Sequence, residues 1–322
     1  MDSDTKTSQP QEPHITRLKE ISSRCESSHY INKRIDLSRF VFDDEHKLIM
    51  CVVPKAACTT WKRIMWYLNG CENDKEKVFK LNVAILDLTA RRLKRLSSVS
   101  KESAIEKLRS YTKFFVKRSP FERLVSAYRN KFITSKNPNY REKIGKQYAK
   151  VQAAKLLQGL RLPMRNIARG RVGVDDVMND VRIRSMNDTM QERLRKYLVT
   201  IRHGNLTFEQ FTSHIVKATE YNLPGELDVH WRPQVELCNP CALKYDYVID
   251  FRKMATESNE LLQYVQRNDD VMDQIRLKET HRVLTNDDTV ASHMNLIDDN
   301  VKLKLKRLYE NDSYILGYSP MR

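Results

Sequence analysis

The hydrophobic pattern of the chain changes at Phe40. Residues 1–28 are polar, hold Pro10 and Pro13 and show little periodicity. That predicts a mobile tail or stem over residues 1–38, ahead of a folded domain over 39–322. Lys47-Leu-Ile-Met-Cys-Val-Val is a short β-rich run between Asp43-Asp44 and Pro54, the pattern of a buried parallel strand. Lys55-Ala-Ala-Cys-Thr-Thr follows as a tight loop. Trp61, Ile64, Met65 and Leu68 then recur at helical spacing. A second unit repeats this plan. Lys113-Phe-Phe-Val-Lys reads as a strand and Arg118-Ser-Pro as a turn, with Pro120 placed to open a helix. That helix carries Phe121, Leu124, Val125, Tyr128 and Phe132 along one face. Residues 81–109 read as helical and basic, and residues 140–200 as helical and rich in arginine. Thr207 and Gln210 form a capping-box pair at the start of another helix. Val229-His-Trp-Arg-Pro and Cys238-Asn-Pro-Cys read as loops, Tyr245-Asp-Tyr-Val-Ile-Asp as a strand, and the remainder as helical. No repeat of solenoid period is present. Strands alternating with helices predict an α/β fold with a parallel sheet flanked by helices.

Composition narrows what such a fold does. Of 322 residues 40% are hydrophobic, too many for wholesale disorder. The longest apolar runs, residues 48–54 and 64–68, fall short of the roughly 20 residues of a membrane helix. Met-Asp-Ser-Asp-Thr-Lys-Thr at the start is not the pattern of a signal peptide. A formal net charge of +16 points to an anionic partner or substrate. Charge alone leaves nucleic acid, nucleotide, anionic lipid and acidic polysaccharide open.

The first strand–loop–helix unit has the parts of an anion site. Backbone N–H groups at a helix start near Thr59 point into the turn, backed by the positive end of the helix dipole. Thr59 and Thr60 add hydroxyl donors, Lys55 adds a charge that can follow the anion, and the small Ala56 and Ala57 let the backbone approach closely. The segment has no glycine and is not a Walker A loop, which disfavours a magnesium-dependent kinase or ATPase. An ordinary strand–helix connection with a solvated lysine is the competing reading. In the second unit Arg118 has the bidentate fork that suits phosphate, and Ser126 follows eight residues later. The competing reading there is a structural ion pair of Arg118 with Glu122 and a serine facing solvent.

The two units together, Pro54-Lys-Ala-Ala-Cys-Thr-Thr-Trp-Lys-Arg and Arg118-Ser-Pro-Phe-Glu-Arg-Leu-Val-Ser-Ala-Tyr-Arg-Asn-Lys-Phe, resemble the Golgi carbohydrate sulfotransferases. The likeness is to the chondroitin and dermatan 4-O-sulfotransferases and the HNK-1 sulfotransferase. His230-Trp-Arg-Pro, Leu237-Cys-Asn-Pro-Cys with Tyr245-Asp-Tyr, and Leu308-Tyr-Glu-Asn-Asp-Ser-Tyr-Ile-Leu-Gly-Tyr extend it in the family's order, from about residue 40 to residue 318. The resemblance implies a P-loop-like parallel sheet and PAPS as sulfuryl donor. It implies that Pro54, Lys55, Ala56, Ala57, Cys58, Thr59 and Thr60 wrap the 5′-phosphosulfate, with Lys55 catalytic at the leaving oxygen. Arg118 and Ser126 would hold the 3′-phosphate. It implies a glycan acceptor, anionic and of the glycosaminoglycan class, a Golgi location and no required metal.

Three features depart from or qualify that pattern. Ser119 stands where relatives carry an acidic residue. Residues 62–113 contain no histidine, whereas related enzymes have one between the two motifs. The general base that the acceptor hydroxyl needs is then expected at His230 or Asp87. A PAPS-binding relative with lost or weak turnover stays open. So does a basic nucleic-acid-binding protein, although the chain shows no recognisable module or aromatic platform for one. Cys238 and Cys241 lack the second pair of a zinc site and the context of a thioredoxin-like motif. A disulfide within or from this pair fits a secretory enzyme, and Cys58 is either a buried free thiol or a disulfide partner. Sequons at Asn187, Asn205 and Asn311 are compatible with a luminal protein. The arginines of residues 161–171, with Arg182 and Arg184, are either a solvated face or a track for a sulfated or uronic-acid polymer.

Overall fold

The structure, a computed structural model, describes residues 12–28, 30, 35–72, 74–80, 93–134, 140–157, 160–220, 227–265 and 285–319. A four-stranded sheet of order β1-β2-β3-β4 forms its centre. Strands β2 (Leu48–Cys51), β3 (Thr112–Lys117) and β4 (Tyr247–Asp250) run parallel, with Met50 beside Phe114 and Phe115 beside Val248. Their central apolar residues are continuous, as burial on both faces requires. The edge strand β1 (Phe40–Asp43) adds an antiparallel partner to β2 that the pattern did not predict. Its hairpin turn has no glycine. The Asp43 carboxylate instead accepts from the His46 backbone N–H at 2.8 Å and lies 2.6 Å from its ring, and Lys47 takes a φ of +48°.

Helix α1 (Glu12–Ser28) corrects the expected mobile tail. His14, Leu18, Ile21 and Cys25 follow one another at helical spacing along it. His14 is buried with its ring centroid 3.7 Å from that of Tyr247 in β4 and Nε2 2.9 Å from Glu260. Arg17 forms a two-pronged ion pair with Glu257, each contact 2.8 Å, and donates to the Val248 carbonyl. The stripe escapes a hydrophobicity count because histidine, arginine and cysteine do much of the packing.

Two disulfides join distant parts of this unit: Cys25–Cys241, which ties α1 down, and Cys51–Cys238, which links the end of β2 to the Gln234–Cys238 helix. Each cysteine of the Cys-Asn-Pro-Cys pair thus bonds outward, and Cys58 is free and half-buried. The Cys51–Cys238 bridge is nested within Cys25–Cys241 and closes a ring of roughly 30 residues through it, so its loss frees unfolded-chain entropy. Cys51→Ser with Cys238→Ser is expected to cost about 2–5 kcal/mol, read as a lower urea midpoint.

The chain forms two compact units where the sequence suggested one domain. The first holds the sheet and spans residues 1–124, 227–286 and 306–322; the second spans 125–226 and 287–305. Among its described residues the second unit is helical. Ala149, Ala153, Ile167, Ile183, Leu194, Leu198 and Ile201 fill its core. Its Phe208–Glu220 helix opens with the expected reciprocal pair: the Thr207 hydroxyl accepts from the Gln210 N–H at 3.1 Å, and Gln210 Oε1 accepts from the Thr207 N–H at 3.0 Å. No described helix is long and apolar enough to cross a membrane.

Candidate active site

Strand β2 delivers the chain to Val52 and Val53, both buried, and residues 54–57 turn into helix α2 (Cys58–Leu68). Lys55 and Ala57 adopt φ values of +69° and +51°. The left-handed region costs a residue with a β-carbon roughly 1–2 kcal/mol, so the turn must be held from outside. Two arginines hold it. Arg123 donates from Nε to the Pro54 carbonyl at 2.9 Å, and Arg118 donates from Nη1 to the Lys55 carbonyl at 2.6 Å. The N-cap Ala57 offers no side-chain acceptor. The first-turn N–H groups at Cys58, Thr59 and Thr60 are therefore not capped by that residue, and the helix dipole adds partial positive charge there. Pro54 and Ala56 are buried, and Lys55, Thr59 and Thr60 half-buried. The turn thus presents a helix start and its backbone N–H groups without using glycine.

Arg118 follows β3 directly and is buried. Its Nε lies 3.3 Å from Glu122, whose other oxygen accepts from Arg252 Nη2 at 2.5 Å, and its guanidinium stacks 4.0 Å from the Phe251 ring centroid. The ion pair with Glu122 is thus real, yet it leaves Nη1 to brace the loop. Burial pushes the Arg118 guanidinium down from its ordinary value, opposed by Glu122; arginine stays charged regardless. Gln234 clamps the Arg118 backbone from both sides, accepting from its N–H at 3.0 Å and donating to its carbonyl at 2.6 Å.

Arg123 is the residue that the sequence reading missed. It is wholly buried on helix α3 (Pro120–Tyr128). Besides Pro54 it donates to the Arg232 carbonyl at 2.6 Å and the Val229 carbonyl at 2.8 Å. One guanidinium therefore fastens the anion loop to the turn that carries His230. Burial lowers its pKa, and the charge of Asp312 is the first influence opposing that. Asp312, itself fully buried, accepts from the Gln234 and Val235 N–H groups, each at 2.8 Å. The signal for both residues lay inside the blocks Phe-Glu-Arg-Leu and Glu-Asn-Asp-Ser, but nothing in those strings tells a buried brace from a surface charge.

His230 is half-buried, its Nδ1 2.5 Å from Asp228 Oδ1, which also accepts from the His230 backbone N–H at 2.8 Å. A carboxylate accepts and does not donate, so this contact calls for the ring proton on Nδ1. Asp87 lies outside the described residues. Ser126 is half-buried, further along α3. The structure thus brings Lys55, the helix start, Arg118 and the His230 turn into one bonded frame.

Known proteins resemble this chain over most of its length. The chain is similar to carbohydrate sulfotransferase 11 of Mus musculus, with 27% identity over 314 residues, 95% of this chain and 76% of that protein. The Danio rerio protein of the same name is 29% identical over 320 residues, again 95% and 76%. Carbohydrate sulfotransferase 10 of Mus musculus is 30% identical over 251 residues, 75% of this chain and 58% of that protein. No solved structure matches. The family model described as "Sulfotransferase family" matches residues 38–319, so from β1 to the end of the described chain this protein belongs to the sulfotransferase family.

Proposed function

We propose that the protein transfers a sulfuryl group from PAPS to a hydroxyl of a glycan, with a glycosaminoglycan such as chondroitin or dermatan as acceptor. The observation that carries this reading is the uncapped start of α2, framed by Lys55 and pinned by Arg118 and Arg123. In the proposed assignment residues 54–60 hold the 5′-phosphosulfate. Lys55 neutralises the oxygen that leaves with PAP, and Arg118 with Ser126 takes the 3′-phosphate. The acceptor oxygen bonds to sulfur as the bond from sulfur to the phosphate oxygen breaks. Such transfers depend on positioning and electrostatics rather than on covalent help from the protein. The glycan acceptor follows from the relatives being carbohydrate sulfotransferases and from the chain's positive charge.

His230 is the proposed base, because Asp228 holds its ring as a base requires; this argues for turnover rather than for a silent nucleotide-binding relative. His230→Ala is expected to lower kcat about 10²–10⁴-fold with PAP affinity retained. Asp228→Asn should give a smaller loss and a displaced acidic limb of the pH–rate profile, because the base acts only when deprotonated. Full activity of His230→Ala would transfer the role elsewhere, with Asp87→Asn the next variant to assay.

A Golgi-luminal site of action fits two disulfides between distant segments and exposed sequon asparagines at Asn187 and Asn205. The deciding experiment is transfer of labelled sulfate from PAPS to desulfated chondroitin, dermatan and heparan chains, with PAP binding by calorimetry on the same preparation. Transfer to chondroitin or dermatan is the expected result. Absence of PAP binding would overturn the assignment of both motifs.

A further inference from the structure

The helical second unit carries a group of arginines with no role in the loop just described. Between Glu142 and Asp175 the sequence holds eight lysines and arginines and no aspartate or glutamate. Five of them are exposed: Lys155 and the arginines Arg161, Arg165, Arg169 and Arg171. Arg165 and Arg169 lie one turn apart on the short Met164–Arg169 helix, about 6 Å along its axis. Ile167, midway between them, is fully buried in the unit's core, which turns the two arginines outward. Like charges at this spacing repel and weaken a helix.

Four other cations of the unit have carboxylate partners. Arg195 pairs with Asp175 at 2.7 Å, Arg182 with Asp180 at 2.7 Å, Lys196 with Glu192 at 3.0 Å and Lys146 with Glu142 at 2.7 Å. Asp176 accepts from the Gly173 N–H at 2.9 Å. Among the described residues no carboxylate pairs with Arg161, Arg165, Arg169 or Arg171. A fifth arginine joins them. Gly170 ends the helix with a φ of +75°, and a β-carbon built there would meet the Arg202 guanidinium at 2.7 Å. The absence of a side chain at 170 lets that guanidinium lie against the turn between Arg169 and Arg171.

We infer that the Arg161–Arg171 segment with Arg202 is a docking surface for an acidic polysaccharide chain, built from residues other than those of the sulfuryl-transfer loop. All five residues are arginine, whose planar and weakly hydrated fork matches carboxylate and sulfate groups better than a lysine does. The repulsion between Arg165 and Arg169 is relieved when anionic groups lie along the row. A polymer with regularly spaced charges supplies such groups, whereas a single small anion meets only one or two of the arginines. The choice of polymer rests on the glycan-acceptor reading above; the existence of the surface does not.

The test uses the full chain and fluorescein-labelled, desulfated chondroitin, followed by polarisation at low ionic strength. Wild-type protein is expected to bind, and Arg165→Ala/Arg169→Ala/Arg171→Ala to bind about tenfold more weakly, from three lost exposed ion pairs. PAP affinity should be the same in both. A charge-matched control, Lys77→Ala/Lys80→Ala/Lys101→Ala on the first unit, should bind chondroitin like wild type. Equal chondroitin affinity in the arginine variant, a matching loss in the control, or no binding by wild type would overturn the inference. So would single-stranded DNA that binds as tightly as chondroitin with the same dependence on the three arginines. Failure to transfer sulfate, with the chondroitin pattern intact, would count against the proposed function and leave the surface standing.

Discussion

Lys55→Ala is expected to lower kcat about 10²–10³-fold, the loss typical of removing one preorganised group from a site of developing charge. The melting temperature should hardly move. Lys55 sits at a φ of +69°, where lysine and alanine carry the same β-carbon penalty, so the exchange neither adds nor relieves backbone strain. The loop is anchored through the Pro54 and Lys55 carbonyls, which the variant keeps. PAP affinity should therefore fall much less than turnover. Unchanged kcat would remove the lysine from the chemical step. A parallel collapse of stability and turnover would show instead that its side chain is part of the scaffold. Lys55→Gly separates the two effects: it also lacks the ammonium but relieves the positive φ, and it should be as inactive as the alanine variant without being less stable.

The largest effect on stability is expected at Asp312, far from the loop in sequence. Asp312→Ala should destabilise the fold by about 3–5 kcal/mol, the cost of stripping one partner from a buried charged network. The carboxylate accepts from two backbone N–H groups at the start of the Gln234–Cys238 helix, and its charge acts on the buried Arg123. Without it both N–H groups and the guanidinium charge lose a buried counterpart. Asp312→Asn keeps the shape and one oxygen, and it should lose less. The network also reaches the site. Asp312 holds Gln234, Gln234 clamps Arg118, and Arg118 braces the Lys55 carbonyl. The asparagine variant should accordingly bind PAP more weakly at a temperature where it is fully folded. Urea unfolding by fluorescence and calorimetry with PAP measure the two quantities separately. A loss below about 1 kcal/mol, the usual range of an exposed polar change, would mean that water replaces the carboxylate in the variant.

Much of the first unit was legible in the chain itself. Strands β2, β3 and β4 are continuous apolar runs ended by Pro54, by Arg118-Ser-Pro and by a polar turn, and burial on both faces demands that pattern. The strand–turn–helix of residues 48–68 was legible because its parts follow one another without a break, although Arg118 and Arg123 hold the turn from outside. The capping pair Thr207 and Gln210 was legible for the same reason. What escaped was held together by partners distant in sequence. Helix α1 reads as a polar tail until Tyr247, Glu257 and Cys241, more than 200 residues away, accept His14, Arg17 and Cys25. Arg123 reads as one charge among 57 until folding buries it among three carbonyls from two segments. The division into two units and the outward pairing of Cys238 and Cys241 likewise depend on which segments meet. The chain by itself determined the chemistry on offer, because residue type and local spacing set which groups can face an anion. Tertiary structure alone decided which charges became braces and which stayed in water, because burial and the distance to a counterpart are properties of the assembled fold.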